Sequence, residues 1–235
     1  MKEKIVLGLS GGVDSAVAAR LLQERYEVTG LYLDIGLGGT GAADAAAVAE
    51  RLGIPFETAD IRAELEREVC APFAADYRAG RTPLPCARCN PAVKFPALFA
   101  LAGRIGARYV STGHYARVEN GVLKKGMPAN DQSYMLARLT REQLQKVIFP
   151  LGDYEKNQVR ALASASRWRT NRTPWRSALS PTGTTPPGWR GAGFPHRRGT
   201  LWIKRERCWA ATGASTATLW ARAGAWGYRG PTGTM

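Results

Sequence analysis

The sequence has no apolar run long enough to span a membrane. No secretory leader is expected, because Lys2 to Ser10 passes directly into a glycine turn. A cytoplasmic chain with no membrane partner is the expectation. Cysteine is scarce: four residues, Cys70, Cys86, Cys89 and Cys208, which in an expected cytoplasmic chain are read as thiols rather than a disulfide framework. Histidine is scarcer still, with two in 235 residues, and no Cys or His pair follows Cys86 and Cys89 to complete a zinc site. A metal-ligating set is therefore not assigned. The chain also lacks the Lys-Ser/Thr ending of a Walker loop and the three-glycine spacing of a dinucleotide fingerprint.

Acidic residues are missing from one part of the chain only. Residues 1–165 carry 21 Lys+Arg and 18 Asp+Glu, whereas residues 166–235 carry 12 and 1. The formal net charge of +14 thus describes neither part, and it does not by itself argue for a nucleic-acid partner. Valine falls from 12 to none across the same boundary, and all 7 tryptophans lie beyond it. The expected division is a folded unit, 1–165, and a basic tail rich in Trp, Arg, Gly and Thr, 166–235, too poor in aliphatic residues to build a core.

What is present begins with Gly8-Leu9-Ser10-Gly11-Gly12-Val13-Asp14-Ser15. An apolar run able to form a buried strand breaks at Ser-Gly-Gly and resumes with helical spacing from Ala16 to Leu22. Glycines let backbone approach an anion, and the N–H groups of a first helical turn point at it with the helix dipole behind them. The stretch resembles the pyrophosphate loop of the PP-loop ATP pyrophosphatases, which cleave ATP to AMP and pyrophosphate.

Strands are expected at 4–9, 27–33 and 54–60, with helices at 15–24 and 42–52, the latter closed by Gly53. That alternation predicts an α/β fold, a Rossmann-like parallel sheet with helices on both faces. Ligands of such sheets lie beyond the carboxyl ends of the strands. The loops after Leu9, at Leu33-Asp34 and after Val110 should therefore meet. The last, Ser111-Thr112-Gly113-His114-Tyr115-Ala116, has a glycine able to approach a nucleotide. Its His114 is read as a hydrogen-bonding or packing residue before a catalytic base.

Between these loops runs Gly80-Arg81-Thr82-Pro83-Leu84-Pro85-Cys86-Ala87-Arg88-Cys89-Asn90-Pro91, an expected exposed loop with Pro91 opening the next helix. Cys89 would then lie near a helix N-terminus, with Arg88 beside it and Lys94 one turn on, all of which favour a thiolate. Structural zinc and a thioredoxin-like pair are alternatives; a nucleophilic or sulfur-carrying Cys89 is preferred. Further on, Asn130, Asp131 and Gln132 carry groups able to bond base edges, although Asp131 could equally be a helix cap. Thr140 caps another expected helix, and one more begins at Glu155.

Ser-Gly-Gly-Val-Asp-Ser, Gly-Arg-Thr-Pro-x-Pro-Cys-x-x-Cys-Asn, Val-Lys-Phe, Thr-Gly-His-Tyr-Ala-Arg, Asp-Gln-Ser-Tyr and Phe-Pro-Leu-Gly occur here in one order. That order is similar to the bacterial tRNA-specific 2-thiouridylases over about residues 3–165. The resemblance implies ATP, with Mg²⁺, bound at Gly8 to Ser15 and bordered by Leu33 and Gly113. It implies adenylation of the C2 oxygen of the wobble uridine in a tRNA anticodon, followed by sulfur delivery from an enzyme persulfide supplied by a cysteine desulfurase or sulfur-relay protein. Cys89 would be one of two catalytic cysteines, Leu84-Pro85-Cys86 would face the target base, and Asn130-Asp131-Gln132 would contact tRNA. The sequence does not decide whether an iron–sulfur cluster uses Cys86 and Cys89. Many members have Asp where Cys86 stands, so a carboxylate's role is not carried over.

Members of that family are longer, with a second cysteine in an Asp-Ser-x-x-Ile-Cys-Phe context that is absent here. The tail reads as an out-of-frame translation. Residues Arg167 to Leu179, with suitable synonymous codons each begun one base earlier, can read Val-Ala-Asn-Lys-Pro-Asp-Ser-Met-Glu-Ile-Cys-Phe. Because Trp has a single codon, agreement through Trp168 and Trp175 constrains that reading. The chain is thus expected to keep a nucleotide-binding fold and to thiolate poorly. The rivals are a non-catalytic ATP- or tRNA-binding fragment and another AMP-forming PP-loop enzyme.

Overall fold

The computed structural model describes residues 2–36 and 38–165. The stretch Arg167 to Leu179, Cys208 and the rest of the tail lie outside the described residues. Among the described residues no helix is long and apolar enough to cross a membrane.

Ile5, Val6 and Leu7 are each fully buried, as a strand covered on both faces must be. They form β1 (Glu3–Gly8), the centre of a five-stranded sheet. β2 (Tyr26–Asp34) pairs with it on one side and β4 (Tyr109–Ser111) on the other, both parallel. β3 (Phe56–Asp60) and the two-residue β7 (Val147–Ile148) form the edges, giving the order β3-β2-β1-β4-β7 with every pair parallel. β5 (Ala116–Glu119) and β6 (Val122–Lys125) make a separate antiparallel hairpin.

Alternation along β1 sorts the helices. Ile5, Leu7 and Leu9 face α1 (Val13–Gln23), α2 (Gly41–Leu52) and α8 (Lys156–Ala165) through Ala16, Val17, Ala45, Val48 and Val159. Val6 faces the opposite layer, where Leu98, Leu101 and Ala102 of α6 (Phe95–Ile105) pack with Val110, Leu136 and Leu144. The expected α/β class and the early elements are observed with ends shifted by one or two residues, and Gly53 closes α2 in the left-handed conformation at φ 62°. Thr140 forms a capping box with Gln143 at the start of α7 (Arg141–Leu144).

One boundary differs. Between β3 and α6 the chain makes α3 (Arg62–Leu65), a π-helical turn at Glu66–Cys70 and α4 (Ala71–Arg78), and then α5 (Pro85–Cys89). A π-helical turn at Asn90–Lys94 joins α5 to α6. The helix therefore opens at Pro85, six residues before the expected Pro91. Both prolines can start a helix, but Pro85 follows Leu84 in a non-helical conformation, whereas Pro91 falls in a widened turn that tolerates its missing N–H.

Candidate active site

β1 ends at Gly8, and Leu9 stays in the sheet by donating its N–H to the carbonyl of Leu31 at 2.8 Å. The turn that follows is tied by two hydroxyls. The backbone N–H of Ser10 donates to Ser15 Oγ at 3.2 Å, the two serine oxygens lie 3.1 Å apart, and Ser15 Oγ donates to the Gly12 carbonyl at 3.0 Å. Gly12 is the N-cap of α1 and brings no side chain to satisfy the first-turn N–H groups. The turn thus presents donors at the positive end of a helix dipole, which suits phosphate.

Two glycines are required by what touches them. Gly11 has φ +75°, and a Cβ there would lie 2.7 Å from Asp44 Cβ and 2.8 Å from the Ala45 nitrogen in the first turn of α2. A Cβ on Gly113 would lie 3.1 Å from the Ser15 nitrogen and 3.2 Å from the Asp14 carbonyl carbon. Gly8 to Ser15 is therefore clasped between α2 and the loop after β4. The expected meeting of the first and third loops is observed at the carboxyl ends of adjacent strands, where the helices change faces.

Asp14 has partners that the sequence reading did not name. Tyr115 Oη donates to its Oδ1 at 2.8 Å, and the Lys156 ammonium pairs with Oδ2. Lys156 Nζ also sits 5.2 Å from the centre of the Tyr115 ring. Burial first, then the bond to Asp14, pushes the Tyr115 phenol up, so it is a donor at any physiological pH. Tyr115 stood inside a quoted motif without a role; Lys156, four residues beyond Gly152, carried no sequence signal at all.

His114 turns into its own loop. Its Nδ1 is 2.6 Å from Thr112 Oγ1, and its ring stands edge-on to Phe149 at 6.3 Å. Burial, and then the charge of Lys94, lowers its pKa to about 3. It is a neutral hydrogen-bonding and packing residue, too weak a base for proton transfer near neutrality.

The cysteine helix lies on the opposite face of the sheet from α1 but at the same, carboxyl end, because α6 runs back toward the start of β4. Cys89 is buried, 9% exposed, among Ile61, Val69 and Val93, against Leu33 and Ile35 at the end of β2. Leu33 thus borders the cysteine cluster as well as the sheet. Two expectations for Cys89 change. It sits in the second turn of its helix, and Cys86 in the first. Arg88 is not aimed at it, since Nε donates to the Glu68 carbonyl. Cys86 is half-buried, and Leu84, half exposed at 50%, leads into the helix. Cys86 and Cys89 are thiols, and Cys70 is buried at the end of the π-helical turn Glu66–Cys70.

The expected RNA-contact residues are engaged within the chain. Asp131 accepts from the N–H groups of Gly126 and Ser133 and from the Ser133 hydroxyl at 2.8, 3.1 and 2.9 Å. Desolvation acts to raise its carboxyl, but these bonds outweigh it and hold it low. Gln132 Oε1 accepts from the Tyr115 N–H at 3.1 Å. The Asn130 amide, oriented to satisfy both its atoms, accepts from the Lys156 N–H at 3.0 Å. The neighbouring Asn90 ties the cysteine helix to this region, its Nδ2 donating to the Met135 carbonyl at 2.9 Å.

Among the described residues no three His, Cys, Asp or Glu side chains converge on one point. A depression of about 500 Å³ lined by Tyr26, Tyr109 and Val147 lies at the opposite, amino end of the strands, away from every residue above.

Comparisons with known proteins bear on this arrangement. The profile of the tRNA methyl transferase HUP domain matches residues 3–174. The tRNA-specific 2-thiouridylase MnmA of Thermobifida fusca is 45% identical over 179 residues, 70% of this chain and 49% of that protein. That of Thermus thermophilus is 43% identical over 193 residues, 73% and 53%. That of Streptococcus equi subsp. zooepidemicus is 44% identical over 178 residues, 69% and 48%. The chain spans about half the length of these curated relatives. Among solved structures, the NH3-dependent NAD synthetase of Campylobacter jejuni matches at TM-score 0.46 and 20% identity, over 76% of this chain and 73% of that one. With the phosphate turn, Gly113, the cysteine helix and Lys156 all inside the matched span, the chain belongs to the tRNA methyl transferase HUP domain family.

Proposed function

We propose that this chain carries the nucleotide-binding and base-activating part of a tRNA 2-thiolation reaction. ATP sits with its phosphates at Gly8 to Ser15 and its adenosine toward Leu33 and Gly113. The C2 oxygen of a wobble uridine attacks the α-phosphate, pyrophosphate leaves, and the poor leaving oxygen becomes AMP. Sulfur from an enzyme persulfide then takes its place at C2, while a second thiol cuts the persulfide S–S bond and is oxidised to a disulfide. A cysteine desulfurase or relay protein supplies the persulfide sulfur.

One observation carries this reading: the uncapped glycine turn at the start of α1, clasped by Gly113, opens at the same sheet end as the Pro85–Cys89 helix. The turn's N–H groups hold and orient phosphate. Asp14 is the carboxylate placed at the turn that would hold Mg²⁺, which when bound would neutralise phosphate charge. Cys89 handles sulfur, and because it is buried among Ile61, Val69 and Val93 its helix must shift to bring the thiol to an RNA base. Although the family is named for methyl transfer, the paired thiols favour sulfur chemistry. Residues 130–132 border the RNA, with their polar side chains shaping the loop.

The test is AMP release and 2-thiouridine formation by the purified chain with ATP, tRNA and a persulfide donor. ATP-dependent AMP release that needs tRNA supports the proposal. Nucleotide binding with no AMP release identifies the rival, a non-catalytic binding fragment. Thiolation is expected to be weak, since the second cysteine context is absent.

A further inference from the structure

Asp14 is the point at which the phosphate turn is tied to the rest of the molecule. Both its oxygens are engaged, one by Tyr115 Oη and one by the Lys156 ammonium. Each of these partners is held in turn by the segment 130–132. The Tyr115 backbone is bonded on both sides by Gln132, whose N–H donates to the Tyr115 carbonyl at 2.8 Å and whose Oε1 accepts from the Tyr115 N–H at 3.1 Å. The Lys156 N–H donates to the Asn130 amide at 3.0 Å. Asp131 between them is fixed to Gly126 and Ser133, and a Cβ on Gly126 would lie 2.6 Å from the Tyr115 carbonyl oxygen. Two short routes thus run from one carboxylate to the same three residues.

From this we infer that Tyr115 and Lys156 are positioning residues that couple occupancy of the phosphate turn to the geometry of the Asn130–Gln132 segment. The inference rests on the nucleotide site proposed above. Asp14 would hold a cation that accompanies the nucleotide, and its pairing with the Lys156 ammonium would then be weakened. Lys156 begins α8, so its displacement moves the N–H that Asn130 holds. A shift of Asp14 moves Tyr115, whose backbone carries Gln132. Segment 130–132 has little freedom to absorb either movement, because Asp131 pins its turn from both sides. Occupancy of one site therefore biases the other, and the bias is reciprocal.

The experiment is amide hydrogen exchange over residues 126–133 of the full chain, with and without Mg²⁺ and α,β-methylene-ATP, alongside a measured nucleotide Kd. In the wild type, exchange at Gln132 and Ser133 is expected to change about 5-fold or more on adding nucleotide. Tyr115→Phe, which removes one oxygen, and Lys156→Gln are expected to bind nucleotide still but to change exchange there less than about 2-fold. Lys156→Arg should restore the response, which a merely structural lysine would not require. Variants that bind nucleotide and keep the full response overturn the inference. So does a wild type that binds nucleotide without any response, and that result leaves the proposed function standing. A wild type that does not bind the nucleotide refutes the site and the coupling together.

Discussion

Gly113→Ala puts one methyl group where the loop after β4 crosses the first turn of α1. Its Cβ would be 3.1 Å from the Ser15 nitrogen, 3.2 Å from the Asp14 carbonyl carbon and 3.3 Å from the Ser15 Cα. All three are backbone atoms, so no side chain can rotate away. Restoring ordinary contact requires the loop and the turn to part by about 0.3 Å or more. Over-packing of this kind costs about 1–3 kcal/mol. If the turn yields, the N–H groups that hold phosphate are what move, and at about 1.4 kcal/mol per decade the nucleotide Kd should rise roughly 5- to 150-fold. If the loop yields instead, the cost appears as lower stability with affinity kept. Calorimetric titration of Mg²⁺ with a non-hydrolysable ATP analogue, paired with thermal denaturation, separates the two. A variant with wild-type affinity and wild-type Tm would refute the claim that this contact sets the turn.

Three further outcomes are expected. Gly103→Ala lies in α6 with nothing within 4 Å of the added Cβ, so it should raise stability by roughly 0.5–1 kcal/mol in denaturant unfolding and leave nucleotide affinity unchanged. His114 has its pKa lowered to about 3 by burial. The unfolded chain therefore takes up a proton that the native chain refuses, and stability that is complete above about pH 6.5 falls toward pH 3 at up to about 1.4 kcal/mol per pH unit. His114→Asn should flatten that part of a Tm–pH series, and an NMR titration showing an ordinary imidazole would contradict the assignment. Cys89→Ser should abolish sulfur transfer in the AMP and 2-thiouridine assay while leaving the nucleotide Kd within about 2-fold, because the thiol lies across the sheet from the phosphate turn.

Much of this protein could be read along the chain. The apolar run from Ile5 to Leu7 is buried on both sides and could only be a central strand, and the Gly-Gly turn beside Ser10 and Ser15 closes by bonds no more than five residues long. Gly53 and the Thr140 capping box are equally local devices. Signals of this kind survive because the interacting groups are near neighbours in sequence. The sequence puts the helix start at Pro91 and the structure puts it at Pro85: both prolines carry the same local signal, and the non-helical Leu84 and the π-helical turn at Asn90–Lys94 separate them.

What the sequence by itself determined is the parallel α/β plan, the phosphate turn and the pair of thiols, since each follows from residue spacing and backbone sterics. Tertiary structure alone decided that Gly113 presses on Ser15, that Cys89 is buried rather than exposed, and that Asp14 is shared by Tyr115 and Lys156, which lie 101 and 142 residues away. Contacts over such separations are set when two faces of one sheet are covered by helices from distant parts of the chain. No local pattern encodes them, because the free energy that fixes them belongs to the assembled core.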